Sequence, residues 1–214
     1  EGDAPDLILT TDDSLVKIVE LDPSSFLRLG DYFELNSFSN FKLGELMQSN
    51  DDIYGIPFSG GPVAYYYNKD LFDAAGASLH DNMTWDEFFE EGRKLLDCLN
   101  LAILPLPDRD DVYTMMKARG VCFYEDSGNV TADGSYEVIS FFENLYSAGL
   151  ICDQSYYDAN EKLAQFLNEK IAGFMCSPYM IKKLEEQVPG TNCENLGIIK
   201  LPKSDGFDYD VSLY

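Results

Sequence analysis

Histidine is nearly missing from these 214 residues: His80 is the only one. It sits among Gly, Ala, Ser and Asn just before Thr84 and reads as a surface-loop residue, so a catalytic triad would lack its usual base. The five cysteines, Cys98, Cys122, Cys152, Cys176 and Cys193, form no CxxC pair, which argues against structural zinc, and no other motif implies a metal or a cofactor. Their odd number argues against a complete disulfide framework. Cys98, Cys122 and Cys176 lie in apolar company (LLDCLN, GVCFY, GFMCS) and read as buried free thiols, which in an exported chain would suit an anaerobic setting. No apolar run approaches the length that crosses a bilayer. No Walker loop and no GxGxxG follows a strand, so nucleoside triphosphates and dinucleotides have no evident cradle. Ser59-Gly60-Gly61 offers a serine among glycines, but GxSxG and the strand-to-helix turn of a nucleophile elbow are both lacking.

Positive charge is scarce too. Lys and Arg number 15 against 38 Asp and Glu, a formal net charge of -23. A polyanion without a basic stripe repels phosphate backbones and anionic membrane surfaces, which excludes nucleic acid as a partner. The carboxylates are scattered rather than blocked, as on an ordinary solvated surface. The chain opens on Glu1-Gly2-Asp3-Ala4-Pro5 without a signal peptide and enters an apolar run at once, as if it began inside a larger fold.

What is present builds a core. Hydrophobic residues make up 45% of the chain, with 14 Tyr and 14 Phe, so the sequence reads as globular. Helical and strand signals alternate throughout, the pattern of an α/β protein with largely parallel sheets. Residues 6–10 (DLILT) read as a central strand covered on both faces, followed by a helix over 14–20. Residues 53–58 and 63–68 read as two extended pieces joined by the small-residue crossing Ser59-Gly60-Gly61-Pro62. Thr84-Trp85-Asp86-Glu87 fits a capping box opening a helix to about Leu99, with Trp85 as a first-turn anchor. A strand is expected over 101–107 and a helix over 111–119 that Gly120 stops. A helix over 135–148 follows, with an apolar stripe of Val138, Phe141, Phe142, Leu145 and Tyr146 closed by Gly149. A helix near 161–168, a strand at 171–177, a helix at 178–188, a strand at 196–202 and an extended end at 208–214 complete the order.

Paired acids such as Asp12-Asp13, Asp51-Asp52 and Asp110-Asp111 are the raw material of glycoside hydrolysis, but in so acidic a chain they arise by chance. Residues 126–133 (DSGNVTAD) lack the alternating oxygen ligands and closing Glu of a calcium loop and read as a hairpin or connecting turn. The adjacent Tyr65, Tyr66 and Tyr67 should alternate across a strand as packing residues.

The phrases IYGIPFSGGPVAYYYNKDLFDAAG and TWDEFFEEGRKL resemble the central signature of the bacterial extracellular solute-binding proteins that include maltose-binding protein. GDAPDLIL, GNVTADGSYEVISFFENLYSAGLI, FLNEKIAGFMCSPYMIKKL and LGIIKLP agree in the same order and extend the resemblance over nearly the whole chain. The resemblance implies a periplasmic-binding-protein-like (class II) α/β fold of two lobes with a ligand cleft between them, here truncated. It places residues 1–58 in a partial first lobe, 59–63 in the hinge crossing, 64–202 in the second lobe and 203–214 on the return toward the hinge. It also implies a carbohydrate ligand, an oligosaccharide above all, delivered unchanged to the membrane permease of an ABC transporter. The protein would be a monomer when complete, located in the periplasm or lipid-anchored at the outer face of the cell membrane. Two alternatives stand beside this: the same fold binding a polyamine, peptide or other small solute, and a carbohydrate-cleaving hydrolase.

Carried over residue by residue, the resemblance puts Thr10, Asp12, Asp13 and Ser14 at the cleft rim, where Asp12 or Asp13 equally well caps the following helix. Ser59, Gly60 and Gly61 match the crossing, where Gly61 replaces a carboxylate contact and leaves backbone contact or none. Ser177-Pro178-Tyr179 stands where relatives have Gly-Pro-Trp, making Tyr179 the expected platform under a sugar ring. The alternative for Tyr179 is a helix-start residue packed on the sheet. Asp110, Asp111 and Tyr113 are also expected to reach the cleft.

Overall fold

In a computed structural model, residues 5–10, 12–32, 48–49, 52–56, 61–119, 121, 133–155, 159–187 and 195–203 are described. The chain divides into two compact units, Glu1–Gly60 and Gly61–Leu213.

The first unit holds helix α1 (Asp12–Leu21), two 3-10 turns (Pro23–Ser25 and Leu29–Asp31) and an antiparallel pair of two-residue strands, β1 (Gln48–Ser49) and β2 (Asp52–Ile53). α1 buries Leu15 and Val19, four residues apart on one face. The central strand expected at 6–10 does not form: Leu7 is 91% and Leu9 82% exposed. A strand is stable only beside a neighbour, and among the described residues none pairs with it.

The second unit is built on a three-stranded sheet of order β4-β3-β5, with β3 (Ala64–Asn68) between β4 (Gly173–Cys176) and β5 (Leu196–Lys200). Both ladders are antiparallel, with Tyr65 opposite Met175 on one side and Ile199 on the other. This corrects the expectation of parallel pairing. β4 and β5 do run the same way, joined through helix α7 (Tyr179–Gln187) as a crossover should join them. β3 lies between them in the opposite sense and makes both ladders antiparallel. Among the described residues, parallel contacts survive only as isolated bridges, Ala102 with Ile171, Leu104 with Ile151 and Thr84 with Lys203. The segment 101–107 likewise stops at two bridges instead of forming a strand, because Pro105 and Pro107 bring no N–H to a ladder.

The tyrosines of β3 alternate as a pleated strand requires. Tyr65 and Tyr67 stack on one face at 6.1 Å, and Tyr65 meets the edge of Phe88 at 4.8 Å. Tyr66 turns to the other face against Phe174. The two faces seed two clusters, one around Tyr65, Phe72, Phe88 and Ile103 and one around Tyr66, Leu163, Phe174 and Met180. The Tyr65 hydroxyl donates to the Ile103 carbonyl at 2.6 Å, and burial pushes its pKa well above the ordinary tyrosine value. A Cβ on Gly173 would lie 2.4 Å from the Tyr65 ring, so the residue at 173 must be glycine for that ring to lie flat.

Short α2 (Lys69–Ala74) leads to α3 (Trp85–Leu99), which opens on the expected box: Thr84 Oγ1 accepts from the Glu87 amide at 3.2 Å, and a Glu87 carboxylate oxygen accepts from the Thr84 amide at 2.8 Å. Trp85 is buried edge-on to Phe88 and Phe141. Helices α4 (Arg109–Ala118), α5 (Asp133–Ser147) and α6 (Ala159–Leu167) complete the unit. The α5 stripe buries Val138, Phe141, Phe142 and Leu145, whereas Tyr146, expected among them, is 52% exposed. Cys98 is a correction as well. It is exposed, because the buried face of α3 runs through Trp85, Phe88, Gly92 and Leu95 and leaves position 98 outside it. His80 is exposed in a loop as expected. Gly120, Cys122, Cys193, most of the 126–133 turn and the 208–214 end lie outside the described residues.

Candidate functional site

In the first unit, Thr10 is half-buried at the end of the extended run, Asp12 and Asp13 open α1, and Ser14 is exposed in its first turn. The positive end of the α1 dipole lies there, a favourable place for carboxylates and for polar guests. Ser59 and Gly60 lie outside the described residues; Gly61 is buried.

In the second unit the predicted residues occur on the starts of two helices. α4 begins two residues earlier than expected, because Asp108 and Asp111 form a second capping box. Asp108 accepts from the Asp111 amide at 2.9 Å, and Asp111 accepts from the Asp108 amide at 3.1 Å. This box escaped the sequence reading because its usual signature has Ser or Thr first and Glu or Gln last. Asp110 is exposed and paired with its neighbour Arg109 at 3.1 Å. Tyr113 is half-buried, with Lys117 Nζ 4.8 Å from its ring centre.

Asp111 departs from its expected role at a cleft rim. It is 4% exposed, and both of its carboxylate oxygens accept from Lys162 Nζ at 2.8 Å. Lys162, in the first turn of α6, also lies 3.5 Å from Asp108. Burial pushes the Asp111 carboxyl up to about 6, against the opposing pull of the lysine. Burial also works against the charge on Lys162, but the Asp111 and Asp108 carboxylates outweigh it and hold the ammonium above its ordinary value. The Cys176 thiol, at the end of β4 and within the field of the same pair, is pushed up to about 12 by burial. Lys162 and Asp108 were missed: the pairing of Lys162 with Asp111 joins residues far apart in sequence, for which no local spacing signal exists.

Tyr179 is the first residue of α7 and 47% exposed, with its ring 5.5 Å from Lys183 Nζ. Before it, Ser177 is 2% exposed, and its hydroxyl has no hydrogen-bond partner among the described residues. Lys183 donates to Asn160 Oδ1 at 3.4 Å, so α7 is tied to the first turn of α6, which Lys162 ties in turn to α4. The second unit thus offers an exposed aromatic ring at Tyr179 and an exposed carboxylate at Asp110, each at the start of a helix tied to α6. Such a surface can stack on an apolar ring face and accept from hydroxyls. Among the described residues no group of three His, Cys, Asp or Glu is placed to hold a metal ion.

A family model described as bacterial extracellular solute-binding protein matches residues 1–214. The chain is 29% identical over 135 residues to a lactose-binding protein of Rhizobium radiobacter, a stretch covering 61% of this chain and 32% of that protein. It is 31% identical over 104 residues to an arabinooligosaccharide-binding protein of Halalkalibacterium halodurans, covering 47% of this chain and 23% of that one. Its fold is similar to that of the sugar-binding protein MalE from Xanthomonas citri, with a TM-score of 0.76 at 17% identity over 94% of this chain and 53% of that one. The chain therefore spans a third or less of these two sequence relatives and about half of the solved structure, and its fold is periplasmic-binding-protein-like.

Proposed function

Because the chain belongs to the bacterial extracellular solute-binding protein family, we propose that it captures a carbohydrate, an oligosaccharide above all, and passes it unchanged to the permease of an ABC transporter. The observation that carries this reading is the family match along all 214 residues together with two relatives named for lactose and for arabinooligosaccharides. The half-exposed Tyr179 at the start of α7 supports it, because an aromatic face held at a helix start is what a sugar ring stacks on. Tyr179, Asp110 and Tyr113 are the proposed contacts of the second unit, and Gly61 contributes backbone alone. Thr10, Asp12, Asp13 and Ser14, with Ser59 and Gly60, remain proposed contacts on the strength of the family resemblance. Asp111 leaves that list for a supporting role.

The family works outside the cytoplasm. Anchoring by a lipid and action as a monomer are part of the proposal. No helix among the described residues is long and apolar enough to cross a membrane.

Thermal unfolding of the full-length polypeptide against lactose, arabinooligosaccharides, maltooligosaccharides, spermidine and short peptides tests the reading, since a ligand that binds only the folded state raises the melting temperature. A rise with a saccharide, which is then recovered intact after incubation, is the expected result. A rise with spermidine alone, which the net charge of -23 makes the sharpest competitor, would replace sugar by a polycation, and cleavage products would make the protein an enzyme.

A further inference from the structure

The carboxylates of α4 and the lysine of α6 do more than fill an interior. A buried ion pair is weak evidence for stability, because apolar residues of similar volume often serve as well or better. What it supplies is direction. Lys162 Nζ lies 2.8 Å from each oxygen of Asp111 and 3.5 Å from Asp108, while Asp111 also accepts from the Asp108 amide. These contacts fix the rotation of the first turn of α4, which carries Asp110 and is followed by Tyr113, against the first turn of α6. From that same turn Asn160 accepts from Lys183, and Lys183 stands over the Tyr179 ring. Two polar ties thus meet on the first turn of α6, one from the start of α4 through Lys162 and one from the Tyr179 ring of α7 through Lys183 and Asn160.

We propose that Lys162 and Asp111 are positioning residues that set the orientation of Tyr179 and the start of α4 for ligand. The proposal rests on the carbohydrate-binding reading for its consequence, but its geometry is independent of that reading. An apolar pair in their place would hold the helices together without aiming them, because leucine cannot accept from the Asp108 amide and methionine cannot donate to the Asp108 carboxylate.

The test uses the full-length polypeptide and the variants Lys162→Met, Asp111→Asn and the double variant Lys162→Met with Asp111→Leu. Lys182→Met, at an exposed position of α7, is the control. Two quantities are read: the dissociation constants for lactose and an arabinooligosaccharide, and the fluorine NMR line of 3-fluorotyrosine at Tyr179, assigned by its loss in Tyr179→Phe. The single variants should weaken saccharide binding by about tenfold or more and shift or broaden the Tyr179 line. The double variant should regain the melting temperature of the parent without regaining either the affinity or the line. Lys182→Met should change neither.

An unchanged Tyr179 line in folded Lys162→Met or Asp111→Asn protein overturns the proposal, and so does a double variant that recovers line and affinity together with stability. If the parent binds neither saccharide, the fluorine line alone decides the positioning role; the functional reading fails only if no saccharide of the thermal series raises the melting temperature. Should Lys162→Met not fold, the other two variants carry the decision.

Discussion

Helices α3 and α4 begin with the same device in two surroundings. In both, the residue before the helix accepts from the amide three residues on, and the carboxylate at that third position accepts in return. At α3 the carboxylate is Glu87, exposed at the surface, and its hydrogen bond from the Thr84 amide holds it below the usual carboxylate range. At α4 it is Asp111, buried beside Lys162, and burial carries its carboxyl up to about 6 despite the lysine. Identical backbone service therefore produces opposite shifts. Where water is near, accepting a hydrogen bond decides the sign, and where it is excluded, desolvation does.

The sharpest way to break this comparison is Lys162→Met. It strands Asp111 in the interior and leaves the half-exposed Asp108 without its lysine, and a loss of about 3–5 kcal/mol in urea-unfolding free energy is expected; a loss below about 1 kcal/mol would show that the pair behaves as a surface one. Next comes the cap at α3. Thr84→Ala removes one acceptor that water can replace, so about 1 kcal/mol should be lost in the same measurement.

The third prediction uses pH. The folded Asp111 carboxyl titrates above its unfolded value of 3.8, so the native chain holds that proton more firmly. Its contribution to stability is present below that value and falls away as pH rises toward about 6. The groups facing it are Lys162 from α6, Asp108 from α4 and, through the lysine, Cys176 from β4. Melting temperatures of Asp111→Asn against the parent across this window should show the parent declining relative to the variant as pH rises. Glu87 has the opposite sign, since its contribution is present above its unfolded value of 4.5 and lost on acidification. Glu87→Gln should therefore erase a slope on the acid side, and being exposed it should be the smallest effect of the set.

The same contrast explains what could be read from residues alone. Thr84-Trp85-Asp86-Glu87 was legible because its chemistry closes within four residues, and the alternation of Tyr65, Tyr66 and Tyr67 because a pleat has period two. The end of α5 was legible from Gly149, which takes φ +74. The antiparallel setting of β3 was not, since alternating helix and strand signals do not say in which sense an entering strand runs. Nor was the exposure of Leu7 and Leu9, because an apolar run carries no record of whether its neighbours are at hand. Of the candidate site, the place of Tyr179 at a helix start could be read from Ser177-Pro178-Tyr179, while its contact with a ligand is part of the proposal. The burial of Asp111 could not, because it depends on Lys162, a partner many residues away that only the folded chain brings within 2.8 Å.

The position of β3 has a consequence for biosynthesis. Ala64 pairs with Cys176 on one side and with Lys200 on the other, so the middle of the sheet is translated long before either of its borders. Until Lys200 has left the ribosome, the three consecutive tyrosines have at most the ladder on the β4 side, and the sheet cannot close on a growing chain however fast its helices form. Such an order of synthesis keeps the second unit open while it is being made.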